Sequence, residues 1–170
     1  MMLKVFQLRV ARSTLGLGVR DIGAYINLSR STISKIERMD VHSELNITYD
    51  QNTVLLKIFN DKGVFFDINS VSHTNINCEL KGSITRFQLR GGRSVLGLSQ
   101  RELAELIGIK KSDLNYLENL DNKSYISTKK TEINQSRINV LFEDNGIVFP
   151  NDGTILIKEI DNDSLRMLSS

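Results

Sequence analysis

Arg30, Ser31, Ser34 and Lys35 bring two cations and two hydroxyls into a span of six positions. Set on the outer face of a short helix near its N-terminus, they would offer donors to phosphate oxygens and to base edges. That is the chemistry of a helix lying in the major groove of a duplex. Two short helices joined by a tight turn, within Gly18–Arg38, must hold them. Ile22, Tyr25 and Ile26 recur at i, i+3 and i+4, which predicts one buried face for the first helix, and Ile33 and Ile36 predict the same for the second. Asn27 stands where the chain must turn, as the non-glycine residue best suited to a left-handed backbone. Ser29 is positioned to cap the second helix by accepting from an N–H near Thr32.

The same plan recurs downstream. Aligned at an offset of 81 without a gap, Phe6–Arg38 and Phe87–Asn119 share 13 identities in 33 positions. They include Phe6/Phe87, Gln7/Gln88, Arg9/Arg90, Arg12/Arg93, Ser13/Ser94, Leu15-Gly16-Leu17 against Leu96-Gly97-Leu98, and Glu37/Glu118. This is an internal repeat. In the second copy Ser99 and Glu102 have capping-box spacing, and Gly108 takes the turn position of Asn27.

The chain has 170 residues, 40% hydrophobic and 25% charged, enough for a sizeable core. The repeat divides it into two domains, 1–81 and 82–170. Net charge is only +2, but residues 1–38 carry seven Lys/Arg against two acids, whereas 83–119 carry six against four. The first copy is the more phosphate-seeking of the two. The single cysteine, Cys78, excludes an internal disulfide and fits a reducing compartment. His42 and His73 are expected on exposed loops, and neither has partners at metal-ligand spacing, so no metal or cofactor is expected. With no long apolar run, neither a signal peptide nor a membrane span is expected, and the predicted location is the cytoplasm, associated with the nucleoid. No Gly-rich phosphate loop, nucleophile with a His partner or defined carboxylate pair suggests an enzyme.

In chain order, residues 2–15 are predicted helical, with Val5, Leu8 and Leu15 at helical spacing and Gly16 as the stop. Asp40–Gln51 reads as a polar connection. A helix over 52–62 is expected to bury Val54, Leu55, Ile58 and Phe59, with Gly63 at its end. Short strands are predicted at Val64–Asn69 and Ile76–Leu80. In the second half, helices are expected over Ile84–Leu96, Ser99–Ile107, Lys111–Leu120 and Ser136–Asn145. Asp121–Glu132 reads as a long loop. Ile147–Phe149 and Thr154–Lys158 are predicted to pair across Pro150–Gly153, the proline presetting φ and Gly153 taking a positive φ. The segment 162–170 is expected to fray. Asp61-Lys-Gly-Val-Phe-Phe against Asp144-Asn-Gly-Ile-Val-Phe carries the repeat past the helical part.

The pattern Arg12-x-x-Leu-Gly-Leu, then Leu28-Ser-Arg-Ser-Thr-Ile-Ser-Lys-Ile-Glu-Arg38, resembles the lambda-repressor-like domain of the xenobiotic response element (XRE) family of bacterial and phage regulators. The second copy, with Leu-Gly-Leu-Ser-Gln-x-Glu-Leu-Ala, is similar to it as well. The fold this implies is mainly α with short β-hairpins: two tandem lambda-repressor-like helix-turn-helix domains, each followed by a helix and a β-hairpin. The resemblance implies base-reading positions at Arg30, Ser31 and Lys35, answered in the second copy by Lys111, Ser112 and Tyr116, with Ser34 and Asn115 beside them. Gln100 matches a phosphate-contacting glutamine, for which the first copy has Val19. Arg12 with Glu37, and Arg93 with Glu118, match a largely buried ion pair tying the first helix to the third.

Further departures weaken the second copy as a DNA reader. Lys110 replaces the capping Ser29, Asp113 replaces Thr32, and Gly91-Gly92 lies inside its first helix, costing about 1 kcal/mol each against alanine unless close packing requires them. The expected function is a sequence-specific transcriptional regulator, a repressor of its own gene, that binds double-stranded DNA and reads two unlike half-sites. The alternative is an antitoxin or coregulator whose second repeat binds a protein partner. The edges of Val64–Asn69 and Thr154–Lys158 are the expected surfaces for a homodimer.

Overall fold

Capping residues set most helix boundaries in the computed structural model, which describes residues 1–74, 76, 83–126 and 135–158. The first half contains helices α1 (Val5–Thr14), α2 (Val19–Ile26), α3 (Arg30–Ile36) and α4 (Tyr49–Asp61), followed by strands β1 (Val64–Asp67) and β2 (Ser70–His73). The second half contains α5 (Arg86–Leu96), α6 (Gln100–Ile107), α7 (Lys111–Glu118) and α8 (Gln135–Asp144), then β3 (Ile147–Val148) and β4 (Thr154–Ile157). Asn27 has the expected left-handed conformation, φ 54° and ψ 45°, and Gly108 repeats it at φ 78°. Helix α4 begins three residues earlier than predicted. Thr48 accepts from the Gln51 N–H at 3.2 Å, and Gln51 Oε1 accepts in return from the Thr48 N–H at 3.0 Å. This reciprocal cap draws the end of the expected connection into the helix.

The repeat reaches further than identity shows. The N–H of Val5 donates to Ser43 O, that of Phe6 to Val41 O, and that of Leu45 to Leu3 O. The N–H groups of Arg86, Phe87 and Ile126 donate to Ser124, Asn122 and Ile84 in the same pattern. Residues 40–45 and 121–126, expected from their composition to be loop, are thus pinned against the starts of α1 and α5. The cores correspond too: Phe6, Phe59, Phe87 and Phe142 are buried, and Phe59 meets Phe66 edge to face at 5.8 Å as Phe142 meets Phe149 at 5.4 Å.

The two halves share one antiparallel sheet of order β1-β2-β4-β3. The register between β2 and β4 pairs Ser70 with Leu156, Val71 with Ile155 and Ser72 with Thr154. The N–H of His73 donates to Gly153 O, and that of Ile157 donates to Asn69 O, each at 2.9 Å. An approximate two-fold axis therefore passes between Val71 and Ile155. It continues between α1 and α5, where a Cβ on Gly91 would collide with Ile155 Cδ1 and lie 3.3 Å from Val10 Cγ1. A Cβ on Gly92 would lie 2.8 Å from the Phe142 ring. The double glycine is what lets α5 approach its neighbours so closely.

Several expectations are corrected. The partner of β1 is Ser70–His73, not a strand at Ile76–Leu80; residues 77–80, with Cys78, lie outside the described residues. Thr154–Lys158 is not an exposed edge, because β4 is flanked by β2 and β3, and β1 and β3 form the outer edges. Gly153 has no positive φ; a Cβ there would lie 3.2 Å from His73 O, so close approach of the other half explains it. Val54 and Tyr25 are exposed rather than buried. His73 lies on a strand, half-buried against Phe87 at 5.7 Å. The predicted loop beyond 126 and the end at 162–170 lie outside the described residues. Among the described residues no helix is long and apolar enough to cross a membrane.

Candidate nucleic-acid interface

Helix α3 buries Ile33 and Ile36, and that choice turns Arg30, Ser31 and Lys35 outward while Ser34 is half-buried. Ser29 Oγ accepts from the Thr32 N–H at 3.1 Å, holding the first turn. It also hydrogen-bonds the Ser31 hydroxyl at 2.7 Å, so one of the predicted contact groups is oriented before anything binds. Helix α7 is built alike: Leu114 and Leu117 are buried, and Lys111, Ser112, Asn115 and Tyr116 are exposed. Its N-cap, Lys110, makes no side-chain cap bond. Ser112 Oγ instead donates to Asp113 Oδ1 at 3.4 Å, placing a carboxylate beside the group that would have to meet an anion.

Both ion pairs are present and superimpose in chemistry. Arg12 grips Glu37 through two parallel bonds, Nε to Oε1 at 2.6 Å and Nη2 to Oε2 at 2.9 Å, and its Nη1 donates to Leu17 O. Arg93 and Glu118 repeat this at 2.5 and 2.7 Å, with Nη1 on Leu98 O. The side chain of Glu118 is 2% exposed against 13% for Glu37, so the second pair is the deeper. Gln100 Nε2 donates to Glu118 Oε2 at 2.9 Å and lies 3.4 Å from Asn115 Oδ1. Its amide thereby links the ion pair to the outward face of α7, a tie that Val19 cannot make in the first half.

Arg9 and Arg90 are functional candidates beyond those expected from the motif. Arg9 donates from Nε to Glu37 O at 2.8 Å and from Nη1 across the axis to Val95 O at 3.0 Å. Arg90 Nη1 donates to Glu118 O at 3.3 Å, and its buried Nε has no hydrogen-bond partner among the described residues. Burial lowers the pKa of both arginines from the ordinary value, and neighbouring arginines lower it further, against the opposing pull of Glu37 or Glu118. Arg86 is pushed down to about 10, first by burial and then by Arg90. It donates to Thr14 O at 2.7 Å in the other half and to Glu118 O at 2.9 Å in its own, and so ties the two halves together. A signal for the Arg9 pair exists in the residue pattern: Arg9/Arg90 and Ser13/Ser94 are repeat identities four residues apart, a polar stripe on a helix that is otherwise apolar toward the core.

Arg9 and Arg90 line a cleft of about 530 Å³ where the two halves meet. Its lining is largely repeated: Arg9, Arg12 and Ser13 from one half, Arg90, Arg93 and Ser94 from the other. Ser34 and Arg38 join it from the α3 side, so the cleft adjoins the outward face of that helix. Among the described residues no group of three His, Asp or Glu side chains could hold a metal ion. Comparison of the chain with protein-family models, curated proteins and solved structures finds no match.

Proposed function

We propose that the chain is a sequence-specific regulator of transcription that binds double-stranded DNA through two lambda-repressor-like helix-turn-helix units. The single observation carrying this reading is the contrast between scaffold and surface. The two halves share the same turn, the same ion pair and the same buried positions, yet α3 presents Arg30, Ser31 and Lys35 where α7 presents Lys111, Ser112 and Tyr116. A duplicated scaffold with unlike outward residues suits a reader of two unlike half-sites. Repression of its own gene is the regulatory form we favour.

Binding of the full chain to a labelled duplex from upstream of its own gene, across a salt series, tests this. Wild type should bind that duplex in preference to random sequence. Arg30→Ala and Lys111→Ala should each cost about 1–3 kcal/mol of discrimination. Failure of wild type to prefer any genomic fragment over random DNA overturns the reading.

Exposed Leu106 and Tyr116, together with Asp113, favour a second reading in which the second unit binds a protein. Loss of DNA discrimination by Arg30→Ala alone would support it.

A further inference from the structure

We propose that the arginine-lined cleft between the two halves is an oxyanion site that takes a phosphate group. Five arginines line it, Arg9, Arg12, Arg38, Arg90 and Arg93, against one lining carboxylate, Glu37. Glu37 and Glu118 are committed to Arg12 and Arg93 in two-point ion pairs. Among the described residues no carboxylate forms an ion pair with Arg9, Arg38 or Arg90. Arg9 and Arg90 are held by backbone carbonyls, which orient a guanidinium without cancelling its charge.

Gathering like charges in a partly desolvated cleft is unfavourable unless an anion joins them. The guanidinium fork matches phosphate oxygens in pairs, and hydrogen bonds already orient Arg9, Arg12, Arg90 and Arg93, beside which Arg38 is exposed. The repeated Arg9, Arg12 and Arg90, Arg93 face one another across the axis, and Arg38 adds a cation from the first half alone. The phosphate could belong to a DNA backbone passing from α3 toward α7, or to a free phosphorylated ligand. The DNA form rests on the proposed regulator function; the anion site itself does not.

Two measurements on the full chain decide between these outcomes. Thermal melting is compared in sodium pyrophosphate and in sodium chloride at matched ionic strength, for wild type, Arg38→Ala, Arg90→Gln and the remote control Arg101→Ala. Pyrophosphate should raise the melting temperature of wild type and the control by several degrees, with the shift at least halved in the two cleft variants. Arg38 is exposed, so its variant remains informative if Arg90→Gln proves unstable. The salt dependence of duplex binding is then measured for the same proteins. A slope reduced by about one per removed arginine, with sequence preference kept, assigns the phosphate to DNA. An unchanged slope with the melting shift intact assigns it to a free ligand. No pyrophosphate shift in wild type, or an equal shift in all four proteins, overturns the proposal. Absence of any duplex binding counts against the DNA-binding reading, while the melting series still decides the site.

Discussion

Val71 pairs with Ile155, its own counterpart in the second half, across the β2–β4 junction. The buried glutamines obey the same symmetry. Gln7 Nε2 donates to Asp67 O at 2.6 Å, and Gln88 Nε2 donates to Asn151 O at 2.6 Å, each tying the first helix of its half to the hairpin of that half. The two halves are thereby joined within one chain through a central pair of strands. The spacing of α3 and α7 is then a property of the monomer and independent of protein concentration.

The ion pairs differ in depth, and so should their contributions. Glu118→Ala removes an almost fully buried carboxylate and leaves Arg93 without its partner, and should destabilise the chain by about 3–5 kcal/mol. Glu37→Ala, at a more accessible pair, should cost less. Denaturant unfolding of the two variants checks the order, and equal losses would contradict it.

Close packing at Gly91 should show as coupling. Gly91→Ala gains up to about 1 kcal/mol of helix propensity but drives a methyl into Ile155, so a net loss of about 1–2 kcal/mol is expected. Ile155→Val removes the colliding Cδ1 atom. The double variant should be more stable than the sum of the two single changes predicts, by at least about 0.5 kcal/mol in a double-mutant cycle. Strict additivity would count against the geometry.

His73 should make the fold acid-sensitive in a defined window. Burial first, and Arg86 second, lower its pKa in the folded state from the ordinary value. The unfolded chain then binds the proton more readily, so stability falls as pH drops below the ordinary histidine value of about 6.5 and toward the lower folded value. Melting temperatures measured from pH 8 to pH 5 should decline less in His73→Phe than in wild type. Parallel declines would show that the histidine contributes nothing.

Helix α7 can be improved at its start. Lys110 makes no cap bond where Ser29 makes one, so Lys110→Ser should stabilise the chain by about 1 kcal/mol. Denaturant unfolding checks this, and if α7 meets DNA the same change should also reduce the salt slope by removing a cation.

Features governed by neighbours along the chain are legible in the order of residues alone. The left-handed Asn27, the Ser29 cap, the Ser99–Glu102 box and the helix-ending Gly16, Gly63 and Gly108 depend on backbone sterics and hydrogen bonds within a few residues. The two ion pairs are legible for a different reason, since the repeat and the family resemblance both mark their positions. Strand β2 escapes such reading because Ser-Val-Ser-His has one apolar residue and little strand preference of its own; it is a strand because β1 and β4 supply both sets of backbone partners. The role of Gly153 escapes for the same reason, as its neighbour His73 O arrives from 80 positions away. The union of the two halves, and the cleft that Arg9 and Arg90 line between them, follow from packing across the axis, which no local pattern of residues encodes.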